Sequence, residues 1–168
     1  MQKNSFSVAD MARLAIVAGL YAALTLAIPG MGFLAIQFRI SELLVLLCFY
    51  RRDYCIALIL GCFVANCFSP MALADMIFGT LATAIAVIPM FSIKNIWVAS
   101  LLPVISNGII IGLELWLIYG EPLWFSMATV ALGELGVITI IGCPLFRFVL
   151  EKNSPFMRAI KANKPTIK

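Results

Sequence analysis

Apolar runs separated by short polar turns occupy nearly the whole chain. The first run, Leu14 to Gln37, carries no charge and is punctuated by Pro29, Gly30 and Gly32. Later runs end at Arg51-Arg52-Asp53, at Ser69-Pro70, at Ser92-Ile93-Lys94-Asn95 and at Gly120-Glu121-Pro122, all turn-forming or charged clusters. Most runs are too long for strands, and they predict helical spans at about residues 12–28, 38–50, 54–68, 75–91, 97–118 and 124–148. The second is short: 13 residues from Phe38 to Tyr50 give about 20 Å of helix against a hydrocarbon core of about 30 Å.

Composition turns this pattern into a membrane assignment. The chain has 168 residues, of which 63% are hydrophobic and 12% charged, and its mean hydropathy is +1.06; globular domains carry about 25% charged residues. The expected fold is an all-α integral membrane bundle of six transmembrane helices, one domain over residues 1–168 with a basic tail at 149–168. The polar start with Lys3, Asp10 and Arg13 has an acid and no A-x-A site before the Pro-Gly turn, so it reads as retained rather than as a cleaved signal.

The net charge of +4 matters through its distribution. With the amino terminus cytoplasmic, the inner segments hold Lys3, Arg13, Arg51, Arg52, Lys94, Arg147, Lys152, Arg158, Lys161, Lys164 and Lys168, and the outer loops hold no lysine or arginine. The positive-inside rule then predicts a multi-pass protein of the cell membrane with both termini cytoplasmic. The basic residues face inward along the bilayer, and no nucleic-acid partner is called for.

The chain contains no histidine, and Cys48, Cys55, Cys62, Cys67 and Cys143 lie in apolar runs without CxxC spacing. No metal, no cofactor and no disulfide framework is expected. No Ser/His/Asp or Cys/His constellation can be assembled and no GxxxxGK[ST] loop is present, so the chain is not expected to be an enzyme.

Arg39 is the one basic residue outside the inner segments, and Glu42 follows three residues later, a helical-neighbour spacing. Ionisable groups at membrane depth cost about 2.5–3.5 kcal/mol each on insertion scales, so they pair, face a cavity and mark ligand pathways. Glu42, Asp75, Glu114 and Glu134 all fall in the outer half or near the midplane, with Asn66, and with Asn107 on the same helical face as Glu114. Pro103 and the glycines at 79, 108, 112, 133 and 136 leave room nearby. These seven residues, Arg39, Glu42, Asn66, Asp75, Asn107, Glu114 and Glu134, are the candidate substrate-binding set. Four acids against one arginine suit a donor-rich or cationic ligand. Trp116, Tyr119 and Trp124 sit where an interfacial aromatic belt is expected, and Trp124 or Phe33 offers an alternative role in stacking on a planar ligand.

In the first span, Ala15, Gly19, Ala23 and Ala27 form a small-residue stripe at four-residue spacing. In lipid such a face lets another helix approach closely; from the residues alone the partner is equally a helix of this chain or of another.

The run IQFRISE after a Pro/Gly-rich loop, GCFVAN in the third span, D-x3-GTLAT opening the fourth, P-x3-N-x6-E in the fifth and GE in the sixth together resemble the QueT family of S components, the substrate-binding membrane subunits of energy-coupling factor (ECF) transporters taken to import queuosine precursors. The resemblance implies an S-component-like bundle that binds a 7-deazaguanine such as 7-aminomethyl-7-deazaguanine from outside. It further implies docking, through the Ala15, Gly19, Ala23, Ala27 stripe, onto a membrane coupling protein (T) that carries two ATPase subunits. Residues 29–37, including Phe33 and Gln37, would be a lid. A stand-alone proton-coupled carrier titrating Glu114 or Glu134, and an intramembrane enzyme using a Glu/Arg pair, are the competing classes.

Overall fold

The computed structural model describes residues 7–27, 39–70 and 72–162. Among the described residues the protein is all-helical. The elements are α1 (Val8–Ala27), α2 (Ile40–Tyr50), α3 (Tyr54–Asn66), α4 (Ala72–Met90), α5 (Ile96–Tyr119), α6 (Leu123–Leu150) and the short α7 (Ser154–Ala159).

Four of them, α1, α4, α5 and α6, are long and apolar enough to cross a membrane, whereas α2 and α3 are apolar but shorter. Of the six expected spans, the second is short, as expected; the third is short as well. At 13 residues α3 reaches only about 20 Å, because its helix ends at Asn66 rather than at Phe68, where Cys67 to Ser69 turn out of it. The first seven residues of α2, Ile40–Leu46, wind as a 3-10 helix before an α-helical turn at Leu47–Tyr50.

The burial pattern is that of a protein solvated by lipid. Large side chains such as Leu60, Ile85, Ile105 and Leu132 are exposed, while Glu42, Asn66, Asp75, Asn107, Glu114 and Glu134 are buried. An apolar outside is favourable only where the surrounding solvent is itself apolar.

Close approaches at small residues set the helix order. A Cβ on Gly61 would lie 2.7 Å from the Ala18 carbonyl oxygen, so α1 and α3 touch backbone to backbone. A Cβ on Gly112 would lie 2.8 Å from Met127 Cα, and one on Gly108 would lie 3.0 Å from Ala131 Cβ, which fixes the antiparallel register of α5 and α6. The Ser106 hydroxyl donates to the Ala82 carbonyl at 2.7 Å, fixing α5 on α4. α5 runs unbroken through Pro103. α6 widens into i→i−5 turns over Leu135–Gly142 and Leu145–Leu150, as in the Glu151 N–H donating to the Phe146 carbonyl at 2.8 Å.

The basic end is tied together by its tail. Lys161 pairs with Asp10 at 2.8 Å, the Tyr54 hydroxyl donates to the Ile160 carbonyl at 3.1 Å, and Glu151 accepts from Tyr50 at 2.8 Å and from Arg147 at 2.7 Å. The tail therefore packs on α1, α2 and α3, a contribution that its charge alone did not suggest.

Candidate functional site

The polar interior lies toward the end of the bundle opposite these basic turns, and α1 contributes to it first. Tyr21, fully buried, donates its hydroxyl to Glu42 Oε1. One turn on, Thr25 donates to Ser41 at 2.7 Å. Tyr21 and Thr25 lie on the opposite side of α1 from Gly19 and Ala23, since two residues turn a helix by about 200°.

Arg39 stands immediately before α2 in extended backbone (φ −88°, ψ 103°), and its carbonyl accepts the Glu42 N–H at 3.0 Å. Arg39 precedes the helix rather than sharing a face of it with Glu42, and Glu42 also accepts from Tyr21. The buried guanidinium lies within electrostatic reach of Glu42 and Glu134 and of Glu114. It is thus a cation within reach of three carboxylates on three helices, Glu42 among them.

Asn107 on α5 is within hydrogen-bond reach of the Glu134 carboxylate on α6. Both are where the α5–α6 register places them: pairing 108 with 131 brings 107 and 134 within about one turn of each other.

A second group forms nearer the end of the bundle. Asn66 donates through Nδ2 to the Asp75 carbonyl at 2.8 Å. It does so across Gly79, where a Cβ would lie 2.5 Å from that nitrogen, so the glycine is what admits the amide. Ser69 donates its hydroxyl to the Asp75 carboxylate, and Glu114 faces Asp75. Between the two groups Thr83 donates to Cys62 Sγ at 3.2 Å.

All seven candidate residues are therefore buried and converge. Sequence reasoning missed Tyr21, Ser69, Thr83, Cys62 and the fully buried Ser126. For Tyr21 a signal existed: Tyr21 and Thr25 are polar, four residues apart and alone in the middle of an apolar helix. Trp124 is 78% exposed, the position of an interfacial aromatic rather than of a side chain inside this array. Phe33, Gln37 and the expected lid lie outside the described residues.

The array has surplus acceptors. Among the described residues, Glu42 Oε2, Asn66 Oδ1, both Glu114 oxygens and Glu134 Oε2 are buried without a hydrogen-bond partner, as is Ser126 Oγ. Leaving such a group unsatisfied costs about 1–3 kcal/mol, more when charged. Among the described residues no cluster suited to a metal occurs.

On the outer surface of α1, Ala15, Gly19, Ala23 and Ala27 are all exposed, and a Cβ at Gly19 would meet nothing within 4 Å. The stripe is separate from the face that packs on α3.

An apolar exterior wrapped around buried carboxylates, amides and one arginine defines an α-helical integral membrane protein with a polar interior. The chain belongs to the QueT transporter family, which matches residues 11–151, and the family is one of transporters, not enzymes. Among curated proteins the chain is similar to the "Queuosine precursor transporter QueT" of Lactococcus lactis subsp. cremoris (strain MG1363), at 39% identity over 79 residues. The match spans 45% of this chain and 46% of that relative, so it covers about half of each. No solved structure matches the chain.

Proposed function

We propose that this protein is the substrate-capturing S component of an ECF-type importer for a queuosine precursor, a 7-deazaguanine such as 7-aminomethyl-7-deazaguanine. The observation that carries this reading, within a transporter family, is the buried surplus of acceptors on Glu114, Glu134, Glu42 and Asn66. A guanine-type edge presents a ring N–H and an exocyclic amine as parallel donors, which one carboxylate accepts together. Glu134, with one oxygen unpartnered and Asn107 beside it, is the reader of that edge. Arg39 fixes the neighbouring carboxylates, and Asp75, Glu114 and Asn66 complete the site. Anionic solutes are disfavoured by acids that outnumber the arginine.

The coupling protein and its two ATPases would supply the energy, docking on the exposed stripe of α1. The bundle is one membrane domain in the cell membrane. α2 and α3 complete six passes, and both termini are cytoplasmic with the basic turns.

Isothermal titration of the purified subunit with 7-aminomethyl-7-deazaguanine tests the function: saturable binding is expected, and absence of binding overturns it. Glu134→Gln, which replaces one acceptor oxygen by a donor, is expected to weaken binding by about 1–3 kcal/mol, or about five- to a hundred-fold. Unaltered affinity would move the base reader elsewhere.

For topology, a cysteine at Glu121 is expected to react with an impermeant thiol reagent in intact cells, and one at Lys152 is expected to be protected. The reverse pattern overturns the orientation.

A further inference from the structure

We infer that Asp75 and Glu114 form a subsite for a primary ammonium group, separate from the base-reading group at Glu134. This rests on the functional reading above and assigns the second half of the same site.

Three helices bring the pair together independently of their charges. The Ser106–Ala82 hydrogen bond sets antiparallel α4 and α5 so that residue 75 stands level with residue 113, beside Glu114. The Gly112–Met127 contact brings Ser126 of α6 to the same level. Glu114 and Asp75 face each other there, 1% and 7% exposed. Two carboxylates so close in a low-dielectric interior need a cation or a proton between them.

The hydrogen-bond inventory favours a group made only of donors. Glu114, within hydrogen-bond reach of the Asp75 carboxylate, has no donor for either oxygen among the described residues, and Asn66, bound to the Asp75 backbone, has none for its Oδ1; Ser126 Oγ, fully buried, has no partner among the described residues either. An ammonium has three donors and no acceptor. A nitrile or carbonyl in its place would set acceptor against acceptor. Asp75 itself already takes the Ser69 hydroxyl, which holds its carboxylate in place and leaves Glu114 as the principal ligand.

Spacing separates this subsite from the base reader. Asn107 and Glu114 stand on one face of α5 seven residues apart, about 10 Å along the axis, the scale of a bicyclic base carrying a one-carbon arm. The site therefore discriminates by what ends the arm: a protonated amine is favoured over a neutral acceptor.

The test is titration calorimetry on the intact subunit with two probes that share the base and differ at the arm, 7-aminomethyl-7-deazaguanine and 7-cyano-7-deazaguanine. The amine is expected to bind the parent at least about tenfold more tightly than the nitrile, the order expected of a charge-assisted hydrogen bond. That ratio is expected to collapse in Glu114→Gln and in Asp75→Asn. Glu134→Gln should weaken both probes together and keep the ratio. If the base binds but the ratio in Glu114→Gln and Asp75→Asn equals that of the parent, this assignment is overturned and the functional reading stands. If neither probe binds the parent, both fall. Thermal melting of each variant in the same detergent separates loss of the subsite from loss of fold, and the ratio in Asp75→Asn decides between the outcomes if Glu114→Gln melts early.

Discussion

Gly19→Leu or Ala23→Leu is expected to abolish transport in cells while the isolated subunit binds its solute as the parent does. Both positions are exposed on α1, and position 19 has open space where a side chain would go, so leucine there strains nothing inside the subunit. Without a hydrophobic drive between helices in lipid, association depends on close backbone approach, and a leucine on a small-residue face prevents it. Gly61→Leu is the matched control: its Cβ would sit 2.7 Å from the Ala18 carbonyl oxygen, on the opposite side of the same helix. Overpacking of that kind costs about 1–3 kcal/mol or more, so this variant is expected to lose stability, binding and transport together. The measurements are uptake, calorimetric binding and recovery of ATPase subunits by affinity purification. Parent-like uptake by Gly19→Leu and Ala23→Leu would remove the stripe from the coupling role.

Arg39→Met is expected to cost the subunit about 3–5 kcal/mol, the scale found when one partner of a buried charge cluster is deleted. The guanidinium is buried among Glu42, Glu134 and Glu114, and methionine keeps the bulk of the stem while withdrawing the charge from all three acids at once. Thermal unfolding in detergent should show a large fall in midpoint, and solute binding should fail. Arg39→Lys is expected to recover only part of both, because an ammonium restores the charge without the planar fork that serves several carboxylates. A stable, binding-competent Arg39→Met protein would show that the carboxylates are held by other means.

The membrane class was legible in the residues. Run length, breakers and the placement of Lys and Arg located the six apolar helices to within a few residues, because a bilayer tolerates ionised groups and free backbone only at its edges; the short α7 within the basic tail was not anticipated. The candidate set was legible for the same reason: polar residues in apolar runs are expensive, so Arg39, Glu42, Asn66, Asp75, Asn107, Glu114 and Glu134 stood out, and all are buried. Helix length was less so. The sequence does not mark where Asn66 ends α3 or where α2 winds as a 3-10 helix, since apolar composition continues past both points.

Partner choice belonged to the tertiary structure. Sequence spacing placed Arg39 beside Glu42, and the two are within electrostatic reach; it did not show that Arg39 lies outside the helix or that Glu42 takes a hydrogen bond from Tyr21, 21 residues earlier. Likewise the small-residue stripe is compatible with internal or external packing until the fold turns Ala18 and Tyr21 toward Gly61 and leaves Gly19 uncovered. Residue type and position along the chain determine that a polar group must be satisfied and at what depth. Which group satisfies it depends on rotation and register between helices, and these are set by contacts between residues far apart in sequence, at Gly61, Gly79, Gly108 and Gly112.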